Sequence, residues 1–180
     1  PPVPILIKST ISIEGWDLIR TEFVKSNLTF SPEFLRAETA LEDFKNTKHF
    51  MMGGDNVGLW SGVYIKAMGN ISISNASVAE LILTKYARNS FLALKVAYFN
   101  ELYDLCDQLE VDFETVRQYT IQDERIGESH TMVTDDRGFG GHCFPKDTKA
   151  FATLGKHCGT PLTILEQAIQ YNIQIRKDNV

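Results

Sequence analysis

The sequence predicts a small α/β unit followed by an all-α unit built on one long helix. Three observations carry this. Short apolar runs alternate with stretches of helical period through the first 75 residues. From Ser77 to about Leu109 the chain then holds neither Gly nor Pro and keeps helical character throughout. Finally, Gly138, Gly140 and Gly141 precede Pro145 and a helical pattern, which marks a tight loop entering a helix.

In chain order, Ile5 to Ile7 read as a strand ended by Lys8-Ser9-Thr10. Glu14 to Lys25 read as a helix with Trp16, Ile19 and Phe23 on one face. Leu28 to Phe30 give a second strand, and Pro32 opens a helix to about Phe44, with Phe34, Leu35, Leu41 and Phe44 apolar. His49 to Met52 give a third strand, ended by Gly53-Gly54. This alternation implies parallel βαβ units. Val57 to Met68 form a short helix weakened by Gly58 and Gly62, and Ile71 to Ile73 a brief strand.

Ser77 and Glu80 make the S-x-x-E pattern of a capping box at the start of the long helix. Its roughly 30 residues span about 45 Å. Leu81, Ile82, Leu83, Phe91, Leu92, Leu94, Val96, Phe99 and Leu102 place apolar groups on most sides, the pattern of a helix buried all round. A chain of 180 residues is short for covering such a helix, so a homodimer through it is expected; a core helix covered by further domains is the other reading. Lys85 and Asn89 lie four apart on one face within the apolar run. A lysine buried there must lose its charge or pair with an anion; alternatively its stem covers apolar surface and its head stays in water. Asp112 caps a helix over Phe113 to Ile121, Met132 to Arg137 form a polar loop, Pro145 to His157 form a helix stopped by Gly159, and Pro161 begins a last helix through Gln174.

Chemistry concentrates in Gly138-Phe139-Gly140-Gly141-His142-Cys143-Phe144-Pro145-Lys146-Asp147. Cys143 falls just ahead of a helix start, where unpaired N–H groups and the helix dipole favour a thiolate. Lys146 and Asp147 add a cation and an acid–base group, and the glycines leave room for a ligand, so Cys143 is a candidate nucleophile. The plainer reading is a glycine loop beside a small buried cysteine.

The net charge of −5 argues against general nucleic-acid binding. Three widely spaced cysteines, Cys106, Cys143 and Cys158, suggest reduced thiols and a cytoplasmic location. No run reaches the roughly 18 apolar residues of a membrane span. His142-Cys143 and His157-Cys158 lack the spacing of a zinc site, so no metal is expected. The start Pro-Pro-Val-Pro, without an initiator methionine, reads as a cut through a longer protein.

The decapeptide 138–147 resembles the active-site loop of the nucleotide-sugar 6-dehydrogenases, the UDP-glucose/GDP-mannose dehydrogenase family, in the form G-F-G-G-S-C-F-P-K-D. Lys8-Ser9-Thr10 and Ser31-Pro32-Glu33-Phe34-Leu35-Arg36 are similar to that family's K-S-T and N-P-E-F-L-R segments. Lys85 to Leu92 resemble its K-Y-A-x-N-x-F-L, and Asp123 to Gly127 its D-x-R-I-G turn. The resemblance implies an α/β remnant, the C-terminal half of an NAD-binding Rossmann-like domain over residues 1–74, followed by an all-α central dimerisation domain over 75–180. No G-x-G-x-x-G follows a strand here, so the isolated chain is expected to be inactive.

The implied reaction is NAD-dependent oxidation of a UDP-sugar primary alcohol, UDP-glucose preferred, to the uronic acid through a cysteine thiohemiacetal and thioester. The resemblance implies Cys143 as nucleophile, Lys85 and Asn89 as oxyanion stabilisers, Asp147 as the group that activates water or deprotonates the alcohol, Glu33 as acid or base in hydrolysis, and Thr10 as holder of a water. It places substrate contacts at Glu33, Phe34, Leu35, Arg36, Lys85, Asn89, Gly138, Phe139 and Gly140, and at Arg125 reaching the other subunit's substrate. Cofactor contacts fall at Ser9, Thr10, Cys143 and Lys146. The sequence departs from the family at His142, usually serine, and at Ala37-Glu38, where an acid and then glycine are usual. A helical dimerisation module without chemistry is the alternative.

Overall fold

The structure is a computed structural model that describes residues 2–36 and 39–177; Pro1 and the departure at Ala37-Glu38 lie outside the described residues. The elements run β1 (Pro4–Ile7), α1 (Ile13–Glu22), β2 (Asn27–Phe30), α2 (Ala40–Asn46), β3 (His49–Gly54), α3 (Val57–Met68), β4 (Ser72–Asn75), α4 (Val78–Gln108), α5 (Phe113–Ile121), α6 (Phe144–His157) and α7 (Thr163–Ile175). Two compact units result, Pro1–Lys85 and Tyr86–Val180, divided within α4.

The first unit holds one sheet in the order β1-β2-β3-β4. β1 pairs with β2 in parallel and β3 with β4 in parallel. The centre departs from the expected parallel pattern: β2 and β3 are antiparallel, with Thr29 opposite Gly54 and Phe30 opposite Gly53. β3 therefore runs on through the two glycines expected to end it. The lack of a side chain at Gly54 is what allows the pairing, since a Cβ there would lie 2.5 Å from the Leu28 carbonyl; a Cβ on Gly53 would lie 2.2 Å from the carbonyl of Ala76, just past β4. Gly54 also takes φ 99°, a conformation open to glycine.

The helix expected from Pro32 is absent; Ser31–Arg36 are irregular and the helix begins only at Ala40. Side chains have taken the backbone groups that a helix would use internally. The Glu33 carboxylate accepts the Leu35 N–H (2.8 Å), the Glu33 carbonyl accepts Lys85 Nζ (2.7 Å), and the Asp43 carboxylate accepts the Arg36 N–H (3.0 Å).

Aromatic packing consolidates the sheet. Phe50, Met52 and Tyr64 form a buried cluster against Leu6, Phe44, Trp60 and Ile73. The Phe50 and Tyr64 rings meet edge to face at 4.9 Å, a favoured arrangement.

In the second unit, Ala93 and Ala97 on α4 present a small-residue floor on which Phe139 is buried. Val96, Phe144, Ala168, Ile169 and Tyr171 close around that ring. The capping box forms as its sequence specifies: Ser77 N–H donates to Glu80 Oε2 (2.7 Å) and Glu80 N–H to Ser77 Oγ (3.3 Å). Asp112 likewise accepts the Thr115 N–H (2.8 Å) at the start of α5. Within this unit α4 is not buried all round. Ala93, Ala97, Phe99 and Cys106 are buried, whereas Phe91, Tyr98 and Leu105 are 67%, 58% and 55% exposed. The apolar residues outnumber the neighbours available to cover them.

Met52 is fully buried in the first core. Met52→Ala is expected to lower stability by about 2–5 kcal/mol, the cost of a large-to-small change in a packed site, measured by urea unfolding. An unchanged midpoint would show that the cluster is not the core of this unit.

Candidate active site

Each unit carries a polar cluster built from residues singled out in the sequence. In the first, Lys85 is 2% exposed. Its ammonium donates to the Glu33 carbonyl (2.7 Å) and Oε1 (3.1 Å) and lies 5.7 Å from the centre of the Phe34 ring. The sequence alternatives for Lys85 are thus decided: it is a buried cation paired with an anion. Burial pushes the Glu33 carboxyl upward, but the Leu35 N–H and the Lys85 and Lys8 charges outweigh it and hold the group below its ordinary value.

Lys8, which the sequence reading did not select for a role, belongs to the same cluster. Its Nζ reaches Ser31 Oγ at 3.5 Å and faces the Phe50 and Tyr64 rings at 6.0 and 5.7 Å. Burial draws its ammonium below the ordinary lysine value, with Glu33 opposing and Lys85 adding to the shift. The signal available in the sequence was its place at the end of a strand, beside two candidate residues. Ser9 and Thr10 follow it, the former exposed and the latter half-buried. Arg36 is committed elsewhere: its guanidinium grips both Asp43 oxygens, at 3.0 and 2.6 Å, and holds that carboxyl far below the usual range.

In the second unit, Cys143 is the N-cap residue of α6, half-buried, with no cap hydrogen bond from its side chain. Pro145 occupies the first turn, as its fixed φ favours. One turn on, Asp147 N–H donates to the Cys143 carbonyl (2.9 Å). The Asp147 carboxylate is fully buried. Its Oδ2 accepts Asn89 Nδ2 at 2.6 Å, while Oδ1 has no hydrogen-bond partner. Lys146 Nζ stands 3.4 Å from that oxygen, close enough for charge attraction but without hydrogen-bond geometry. A buried carboxylate oxygen left open is costly unless something donates to it.

The glycine loop is anchored before it reaches Cys143. Phe139 is a core residue whose N–H and carbonyl are both bound by the Asn172 carboxamide (2.6 and 2.9 Å). Gly138 N–H donates to Asn100 Oδ1 (3.0 Å), which also accepts Arg137 Nε (2.9 Å). Arg137 continues to Asp104 Oδ1 (2.6 Å), whose other oxygen accepts the Tyr171 hydroxyl (2.8 Å). Asn100, Asn172 and Arg137 were not selected from the sequence. Asn100 was detectable: it lies eleven residues after Asn89, which on a helix returns to nearly the same face. Gly140 is half-buried; Gly141 and His142 are exposed.

Arg125 projects from the 123–127 turn, strongly exposed, with its guanidinium on Asp123. Lys95 holds that turn by donating to the Ile126 and Gly127 carbonyls (2.7 and 2.9 Å). Among the described residues, no group of three or more His, Cys, Asp and Glu side chains is placed to hold a metal ion. No helix among them is long and apolar enough to cross a membrane.

Comparison with known proteins bears on this geometry. Residues 77–174, which contain Lys85, Asn89, Cys143 and Asp147, match the central domain of the UDP-glucose/GDP-mannose dehydrogenase family. The chain belongs to that family. The UDP-glucose 6-dehydrogenase of Rickettsia typhi is 33% identical over 186 residues, covering 98% of this chain and 42% of that protein. The UDP-glucose 6-dehydrogenase of Rhizobium meliloti is 31% identical, covering 93% of this chain and 41% of its own length. Among solved structures, a UDP-glucose dehydrogenase from the hyperthermophilic archaeon Pyrobaculum islandicum superposes with a TM-score of 0.82 at 32% identity, covering 95% of this chain and 41% of that one. The chain thus spans about two fifths of the length of these family members.

The Lys85–Glu33 pair makes a stability prediction with a definite sign. Glu33 is held below its ordinary value of 4.5, so its contribution is present above that pH and is lost as pH falls through the depressed value. Glu33→Gln leaves the buried ammonium without a counter-charge, and stability at pH 7 is expected to drop by about 1–3 kcal/mol, reduced from a fully buried pair because Glu33 is partly exposed. The gap between parent and variant should close as the pH is taken toward 3. Urea unfolding across pH measures this, and a pH-independent gap would contradict the pairing.

Proposed function

We propose that this chain is the part of an NAD-dependent UDP-glucose 6-dehydrogenase that carries the nucleophilic cysteine and the acid–base groups of the reaction. The observation that carries the reading is the buried Asp147 carboxylate, held by Asn89, one helical turn on from the N-cap residue Cys143 and with Lys146 3.4 Å from its second oxygen. Residues 1–74 are the C-terminal half of the dinucleotide domain and 75–180 the central helical domain on this reading.

Four-electron oxidation of a primary alcohol to an acid must retain the intermediate aldehyde. Cys143 adds to its carbonyl carbon to give a thiohemiacetal, and the second oxidation leaves a thioester that water cleaves. Asn89, already oriented by Asp147, donates to the developing oxyanion, and Lys85 supplies positive charge. The open Asp147 oxygen takes a proton from the alcohol or from the attacking water. Glu33, kept ionised by Lys85 and Lys8, serves as base in thioester hydrolysis, and Thr10 holds its water. Phe34, Leu35 and the backbone of Gly138 and Gly140 hold the sugar nucleotide, and Arg125 reaches the substrate of a second subunit.

NAD supplies the two-electron acceptor for both oxidations when bound. The described residues do not make its pyrophosphate cradle. The turn after β1 is Lys8-Ser9-Thr10, and the first helix is capped by Ser12, whose own Oγ accepts the Gly15 N–H (3.0 Å). On this reading Ser9, Thr10, Cys143 and Lys146 face only the nicotinamide, and the 180-residue chain does not turn over by itself. On this reading the protein is cytoplasmic, which its three free, widely spaced cysteines support.

Iodoacetamide is expected to label Cys143 faster than buried Cys106, and UDP-glucose to suppress labelling of Cys143 by about tenfold or more while leaving exposed Cys158 unaffected. Mass spectrometry of the peptides reads both. Three thiols indifferent to the sugar nucleotide would sink the enzymatic reading and leave the structural module.

The same reading includes a homodimer through α4. Phe91, Tyr98 and Leu105 recur every seventh residue and share an exposed stripe, the spacing of a helix seam. Phe91→Glu should convert a dimer to a monomer by light scattering at micromolar concentration, with the circular dichroism retained. A parent chain that is monomeric under those conditions would refute the pairing.

A further inference from the structure

We infer that Asn172 is a positioning residue for the Cys143 loop, an assignment that rests on the functional reading above and deepens it. Its side chain is buried on α7, and its hydrogen bonds go to Phe139 and not to the cysteine or the Asn89–Asp147 pair. Its carboxamide instead reproduces a strand pairing: Oδ1 accepts the Phe139 N–H at 2.6 Å and Nδ2 donates to the Phe139 carbonyl at 2.9 Å. Of the side chains of this size only Asn has both a donor and an acceptor at that reach.

The surrounding residues are shaped to admit this clasp. Gly138 takes φ 56°, and a Cβ there would lie 2.2 Å from Asn172 Oδ1, so both the backbone conformation and the carboxamide exclude a side chain. Asn100 on α4 takes the Gly138 N–H, and Arg176 on the chain after α7 donates to the Arg137 carbonyl (3.1 Å). Three consecutive loop residues, 137 to 139, are therefore tied to groups on α4, on α7 and just after α7. Three residues separate Phe139 from Cys143. With one end fixed by the clasp and the other by the first turn of α6, Gly140, Gly141 and His142 have little freedom, and the thiol is placed by that closure. Preorganisation of this kind is what a nucleophile on a glycine-rich loop otherwise lacks.

The test uses the 180-residue chain with Asn172→Asp and Asn172→Ala, read by amide hydrogen exchange at Phe139 and by iodoacetamide labelling of Cys143 against Cys158 as internal reference. In Asn172→Asp at pH 7 the carboxylate still accepts from the Phe139 N–H but has no proton for the Phe139 carbonyl. Protection of the Phe139 amide should fall by about tenfold or more relative to the parent, and the Cys143:Cys158 labelling ratio should shift by about threefold or more. Circular dichroism and the protection of α4 amides should stay at parent values. As the pH approaches 5 and the new carboxyl takes up a proton it can donate, both differences from the parent at that pH should narrow. Asn172→Ala should show both defects with no recovery at low pH. An asparagine that only holds Phe139 would lose the local protection but leave the Cys143:Cys158 labelling ratio at its parent value. A parent-like Cys143:Cys158 labelling ratio in both folded variants would overturn the inference, whatever the Phe139 protection. So would global loss of structure in both, which would make the carboxamide part of the core. Failure of UDP-glucose to shield Cys143 in the parent would count against the functional reading and would not alter this exchange measurement.

Discussion

The first unit is organised by one electrostatic demand: the Lys85 ammonium is buried on an apolar helix and must be answered. A charge taken out of water costs several kcal/mol unless paired and hydrogen-bonded. Glu33 supplies both its carboxylate and its carbonyl, and to do so the segment from Ser31 to Arg36 cannot coil. The irregular segment precedes the late start of α2. Gly54 is the position at which the antiparallel approach of β3 to β2 is sterically possible.

The second unit meets a similar demand with neutral amides. Asn89 satisfies half of the buried Asp147 carboxylate, and Asn100 and Asn172 take up the backbone of a loop that makes little regular structure of its own. Irregular backbone can be buried only where every N–H and C=O finds a partner. Here side chains from α4 and α7 provide them, and the Phe139 ring provides the apolar anchor. The result is a stiff approach to Cys143, followed at once by a helix whose first turn carries Asp147. Rigid support beneath a short, glycine-rich segment is what the nucleophile proposed above would need.

Much of this was legible beforehand, for local reasons. Capping signatures at Ser77–Glu80 and Asp112 and the Pro145 entry to α6 depend on neighbours in the chain, and they appear at the expected places. Val57–Met68 was bounded correctly for the same reason, by glycine at Gly69 and turn residues at Asp55-Asn56. The helix expected from Pro32 failed because local apolar spacing was outvoted by contacts at long sequence separation, chiefly with Lys85. Burial of α4 on all sides was a reading of composition, and composition cannot say which apolar residues find neighbours.

By itself the sequence determined the long uninterrupted helix, the glycine-to-helix entry at Cys143 and the residue types from which the chemistry is drawn, because these are written in propensity, capping and short-range spacing. Tertiary structure alone decided that Lys85 is paired rather than solvated, that Asp147 is buried against Asn89, and that the loop hangs from Asn100 and Asn172. Those outcomes depend on groups 30 to 60 residues apart, whose meeting no local pattern encodes.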